Sequence, residues 1–72
     1  MKKTFHLEDL ECASCAAKME AAIGKLQGVE SASVNYMTQK LTLSAEDSLF
    51  DAVLAQAQKA VSKIEPDCRI VL

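Results

Sequence analysis

The chain has 72 residues, half of them apolar and a quarter charged, with 8 basic against 10 acidic side chains and a net charge of −2. That length holds one small domain and excludes a barrel, a dinucleotide-binding enzyme or any fold that encloses a large substrate. The slight acidity, with only Phe5, Tyr36 and Phe50 as aromatics, argues against a nucleic-acid surface built on basic charge or base stacking.

No run approaches the ~20 apolar residues a membrane span needs. The opening residues Met1 to His6 lead into no apolar stretch of the signal-peptide kind. Three cysteines, two of them in a Cys-x-x-Cys, do not make a secreted disulfide framework. Reduced thiols in a cytoplasmic setting are the expectation.

Residues 3–8 read as a strand, with Phe5 and Leu7 on one face and Thr4, His6 and Glu8 on the other. Residues 9–14 read as a loop. From about Cys15 to Leu26, Ala16, Met19, Ile23 and Leu26 recur at spacings of three and four, one apolar helical stripe. Gly28 ends that helix as a left-handed cap. Residues 29–35 alternate again, Ala32 and Val34 against Ser31 and Ser33. Tyr36 to Gln39 form a hairpin loop, and Leu41 and Leu43 mark a third strand.

Ser48 is the expected N-cap of a second helix, with Asp51 able to reach back. That helix runs to about Lys63 on a stripe of Phe50, Val53, Leu54, Ala57, Ala60, Val61 and Ile64. Glu65, just before Pro66, is biased away from helix. Cys68, Ile70 and Leu72 should share one face of a last strand. The order β-α-β-β-α-β predicts an α+β, ferredoxin-like open sandwich: a four-stranded antiparallel sheet with both helices on one face. Residues 1–72 are expected to form a single domain, cut from the N-terminal part of a longer protein.

The chemistry lies in Glu11-Cys12-Ala13-Ser14-Cys15. A cysteine at a helix N-terminus meets unpaired N–H groups and partial positive charge, which favour thiolate, the form that binds metal or attacks disulfides. The two-residue spacer lets both sulfurs converge. Two sulfurs alone suit Cu(I), whereas Zn(II) takes about four ligands. Glu11 is a candidate third ligand. It brings the ligand charge to −3, which a divalent ion reduces to −1 and a monovalent ion only to −2. Zn(II), Cd(II) or Pb(II) is then easier to desolvate than Cu(I). Asp9 is a further candidate. A thiol–disulfide redox pair is the alternative use of the two cysteines. Cys68 and Met19 read as core residues, His6 as a residue of the open sheet face, and Lys18 and Lys25 as a solvated helix face.

These features together resemble the heavy-metal-associated domain, which has this fold and a Gly-Met-x-Cys-x-x-Cys loop between first strand and first helix. The matching stretch is Asp9-Leu10-Glu11-Cys12-Ala13-Ser14-Cys15, supported by Gly28-Val29, Ala32-Ser33-Val34-Asn35 and Asp67-Cys68-Arg69-Ile70. Asp9 stands where the family usually has Gly and Leu10 where it has Met. Glu65-Pro66 occupies the region where copper chaperones often carry a Lys. Glu11 replaces the Thr common in copper-ATPase domains. An acid there is similar to the N-terminal domains of zinc/cadmium/lead-exporting P-type ATPases.

The resemblance implies a non-enzymatic metal-binding domain on the cytoplasmic side of an inner-membrane exporter. Its cargo would be Zn(II) or Cd(II) on Cys12, Cys15 and Glu11. Its partners would be the remaining domains of the ATPase, a metal carrier or a second copy of the domain, with no nucleic acid and no membrane insertion of this segment. A free-standing Cu(I) chaperone is the competing expectation.

Overall fold

A computed structural model describes all 72 residues. Alternation in the sequence becomes four strands: β1 (Lys2–Glu8), β2 (Val29–Asn35), β3 (Lys40–Ala45) and a short β4 (Arg69–Ile70). Helix α1 (Ala13–Gly24) follows β1, and α2 (Phe50–Ile64) follows β3 through a 3-10 turn at Asp47–Leu49. The strands lie in the order β2-β3-β1-β4 with every pair antiparallel. This is the predicted ferredoxin-like arrangement.

Register follows side-chain chemistry. Phe5 pairs with Leu41, and Val34 with Leu41 from the other side. Thr4 pairs with Thr42 on the opposite face, where their hydroxyls are 3.3 Å apart. One face of the sheet therefore presents Leu7, Leu41, Leu43, Ala45 and Ile70 to Ala16, Met19 and Ile23 of α1 and to Phe50, Val53, Ala57 and Val61 of α2. His6 is exposed on the other face. The buried set contains no polar or charged side chain. The interior supplies cohesion alone, and any chemistry is confined to the surface loops.

The two sheet edges are closed from the helices. Glu20 of α1 accepts the Val34 N–H of β2 at 3.1 Å. The Gln58 amide of α2 donates to the Ile70 carbonyl at 2.9 Å and accepts the Ile70 N–H at 2.8 Å. Exposed strand edges otherwise invite pairing with other chains.

Some local expectations need correction. Helix α1 begins at Ala13, because Cys12 itself is the N-cap. It stops at Gly24, and Gly28, at φ 94°, makes a left-handed turn several residues later. Ser48 does not cap α2. The chain enters that helix through the 3-10 turn, Leu49 holds the cap position, and no side chain bonds to the helix end. The terminal ammonium instead bonds to the Ala45 carbonyl and pairs with Asp47 at 2.8 Å. Leu72 is 79% exposed and lies beyond β4. The Val71 N–H to His6 carbonyl bond, 2.8 Å, is the last tie to β1, so the pleat that would turn Leu72 inward is not continued. No helix is long and apolar enough to cross a membrane.

Candidate metal centre

Strand β1 ends on a tight turn. Asp9 adopts φ 57°, the left-handed conformation that favours glycine and that Asp tolerates better than most residues. Leu10 then drops fully into the core. With Leu10 anchored, Glu11 is turned outward and Cys12 arrives at the start of α1 in an extended conformation, φ −135° and ψ 119°.

Cys12 caps the helix twice over. Its carbonyl accepts the Ala16 N–H at 3.1 Å, and its sulfur accepts the Cys15 N–H at 3.3 Å. The Ser14 hydroxyl lies 3.1 Å from the same sulfur. Cys15 sits in the first turn of the helix, and both thiols are free and half-buried.

The two sulfurs split in acidity. Cys12 is lowered from the ordinary 9.0 to about 7, first by the Cys15 side chain, then by the Ser14 hydroxyl and by the Cys15 backbone N–H. Cys15 is pushed up from 9.0 to about 11, first by the Cys12 sulfur and then by burial, with the Cys12 and Glu65 charges adding and Lys18 opposing. Above neutral pH the Cys12 sulfur is mostly thiolate while Cys15 keeps its proton. A metal cation that takes both sulfurs displaces that proton.

Glu65 is the carboxylate beside this pair. The Cys15 thiol donates to its Oε2 across 3.8 Å. Glu65 ends α2 as its C-cap, in an extended conformation, which the following Pro66 favours. Pro66 was the only sequence signal that Glu65 leaves the helix, and nothing in the local sequence ties it to Cys15.

The structure does not gather Glu11 with the two thiols. Its side chain is exposed, and only its carbonyl is engaged, accepting from the Tyr36 hydroxyl at 3.5 Å. Asp9 is exposed in the turn and bonds to neither thiol; its charge adds, after burial and Glu65, to the raised pKa of Cys68. Cys68 is 1% exposed, a core residue as expected, with its thiol raised by burial and then by Glu65 and Asp9. No three His, Cys, Asp or Glu side chains stand together as a ready metal cage.

An antiparallel βαββαβ sandwich with a surface dithiol where β1 meets α1 defines the class: a ferredoxin-like domain with a metal-competent loop. The family described as "Heavy-metal-associated domain" matches residues 4–67. The chain belongs to that family. It is 30% identical over 66 residues to a cadmium, zinc and cobalt-transporting ATPase of Bacillus subtilis (strain 168), covering 92% of this chain and 9% of that protein. It is 32% identical over 63 residues to a copper-exporting P-type ATPase of the same organism, covering 88% of this chain and 8% of that one. Among solved structures, it is similar to the Cu(I)-loaded N-terminal domain of a potential copper-translocating P-type ATPase from Bacillus subtilis. That match has TM-score 0.75 and 28% identity, and covers 96% of this chain and 84% of that one. The chain thus spans under a tenth of the curated relatives' own length.

Proposed function

We propose that this domain captures Zn(II) or Cd(II), with Pb(II) in the same class, on the sulfurs of Cys12 and Cys15. It then passes the ion to, or uses it to regulate, a heavy-metal-exporting P-type ATPase. The observation that carries the divalent reading is the Glu65 carboxylate 3.8 Å from the Cys15 sulfur. Two thiolates and one carboxylate supply a ligand charge of −3. A divalent ion leaves −1 there and Cu(I) leaves −2, which costs more to hold at a half-buried site. The three groups form no ready cage without the ion; on capture Glu65 closes in as the third ligand and water takes the open position. Glu11 is the competing third ligand, since rotation of its exposed side chain brings a second carboxylate to the loop. The domain works by ligand exchange on a surface loop, and ATP hydrolysis belongs to other parts of the exporter. The partners are those parts, on the cytoplasmic side, and any carrier that loads the loop.

A second reading has its own support. The absence of a ready three-ligand cage suits Cu(I), which accepts two sulfurs, and a copper exporter is among the relatives. A thiol–disulfide enzyme of the thioredoxin kind needs a thioredoxin-like fold, and the fold here is ferredoxin-like.

The test is an anaerobic competition titration of the reduced domain with Zn(II), Cd(II) and Cu(I), run beside Glu65→Gln and Glu11→Gln. Tight divalent binding that Glu65→Gln weakens, with Cu(I) spared, supports the reading. If Glu11→Gln alone weakens it, the loop acid is the third ligand. Tight Cu(I) binding alone, indifferent to both substitutions, replaces the divalent reading with the copper one.

A further inference from the structure

The hairpin between β2 and β3 holds the dithiol loop from the side, at points the metal reading itself does not use. The Gln39 side-chain amide donates to the Leu10 carbonyl. The Gln39 main-chain carbonyl accepts the Leu7 N–H at 2.8 Å. One residue therefore bonds the backbone on both sides of the left-handed Asp9 turn. Gln39 is itself left-handed, at φ 55°, which aims its main-chain and side-chain groups at the same short stretch. The hairpin that presents it is shaped by the Asn35 carboxamide, which accepts the Thr38 N–H at 3.1 Å. The neighbouring Tyr36 hydroxyl bonds the Glu11 carbonyl.

Leu10 and Glu11 need such partners. They lie between β1 and α1, where no ladder or helix bond serves their carbonyls, and backbone polar groups left unpaired near the core are costly. The residue that follows them is Cys12. Whatever fixes their peptide planes also fixes the direction in which Cys12 enters the helix cap, and hence the meeting of its sulfur with Cys15.

We propose that Gln39 is a positioning residue for the metal site. It holds the Leu10 carbonyl so that the Cys12 and Cys15 sulfurs converge before any ion arrives. The proposal rests on the dithiol being the metal site. A preorganised pair loses less conformational freedom on capture, which strengthens binding mainly by slowing release.

The test compares wild type, Gln39→Leu and Gln39→Lys. Leu keeps the bulk without a donor, and Lys restores a donor that reaches the Leu10 carbonyl. Two readouts are taken: amide hydrogen exchange of the reduced, metal-free protein, and release of bound Cd(II) to excess EDTA. In Gln39→Leu, exchange at the Cys15 amide and Cd(II) release should each speed up about tenfold, the scale typical of lost outer-shell partners. Sheet amides of β1 and β3 should not change, and Gln39→Lys should return the Cys15 amide to the wild-type rate.

Wild-type behaviour of Gln39→Leu in both readouts overturns the proposal. So does a uniform rise across the sheet amides, which marks a general stability role, or a Lys variant as loose as the Leu variant. A wild-type protein that holds no Cd(II) defeats the divalent reading instead. In that case Cys15 exchange that still loosens in Gln39→Leu keeps the tie between Gln39 and the loop standing.

Discussion

The backbone N–H of Cys15 donates to the Cys12 sulfur at 3.3 Å, so the first cysteine of the pair caps the helix that carries the second. The capped helix end therefore draws the Cys12 sulfur onto the turn that carries Cys15. The bond also favours negative charge on Cys12, and the Cys12 sulfur is in turn the main reason Cys15 resists ionisation.

This asymmetry sets a pH profile for the reduced, metal-free domain. Cys12, depressed to about 7 from an unfolded 9.0, contributes stability that is fully present above pH 9 and is lost as pH falls through 7. Cys15, raised to about 11 from 9.0, contributes stability that is present below pH 9 and is lost as pH rises through 11. The melting temperature should climb between pH 7 and 9 and decline between 9 and 11. Cd(II) capture should release about one proton at pH 8 and about two below pH 6, so affinity falls more steeply with acid in the lower range. Thermal melts and Cd(II) titrations across these values check both statements. A melting temperature flat from pH 7 to 9 contradicts the first.

Asp9 was a candidate ligand on sequence grounds and is a turn residue in the structure, at φ 57°. Asp9→Gly should leave Cd(II) affinity unchanged and stability equal or slightly higher. Asp9→Val, with a branched Cβ in the left-handed region, should cost about 1–2 kcal/mol. Denaturant melts together with a Cd(II) titration separate the two roles. Loss of Cd(II) affinity in Asp9→Gly with stability intact would restore Asp9 to the ligand set.

Gln58 is a structural clamp on the β4 edge. Gln58→Leu leaves the Ile70 N–H and carbonyl without their α2 partners. The expected loss is about 1–3 kcal/mol, read as a fall of the melting temperature by roughly 4–8 °C per kcal/mol for a domain of this size. Since β4 pairs directly with Leu7 and Glu8 of β1, its loosening should also raise hydrogen exchange at the end of β1. Unchanged stability would mean that water replaces both bonds at no cost.

Much of the architecture was legible because burial on one face imposes a period. Leu41 and Leu43 alternate, and Phe50, Val53, Ala57 and Val61 recur at helical spacing; all six are buried. The two cysteines were legible by spacing. The start of α1 was misplaced because Cys is an unusual cap residue, and its sulfur reveals that role only once the Cys15 N–H is seen against it. Ser48 misled in the opposite sense, a favoured cap residue overridden by the 3-10 turn that begins at Asp47. Glu65 lies 50 residues from Cys15 and Gln39 lies 29 from Leu10. Neither contact has a local signal. Both arise because the βαββαβ path returns the hairpin and the α2–β4 loop to the end of the sheet that carries Cys12 and Cys15.

The proposed function requires a mixed shell of two sulfurs and carboxylate oxygen around a divalent ion. X-ray absorption at the cadmium edge of the Cd(II)-loaded monomer reads that shell directly. The expected result is two sulfur neighbours together with oxygen neighbours, and loss of part of the oxygen shell in Glu65→Gln. A shell with fewer than two sulfurs, or one built from four sulfurs and no oxygen, contradicts it.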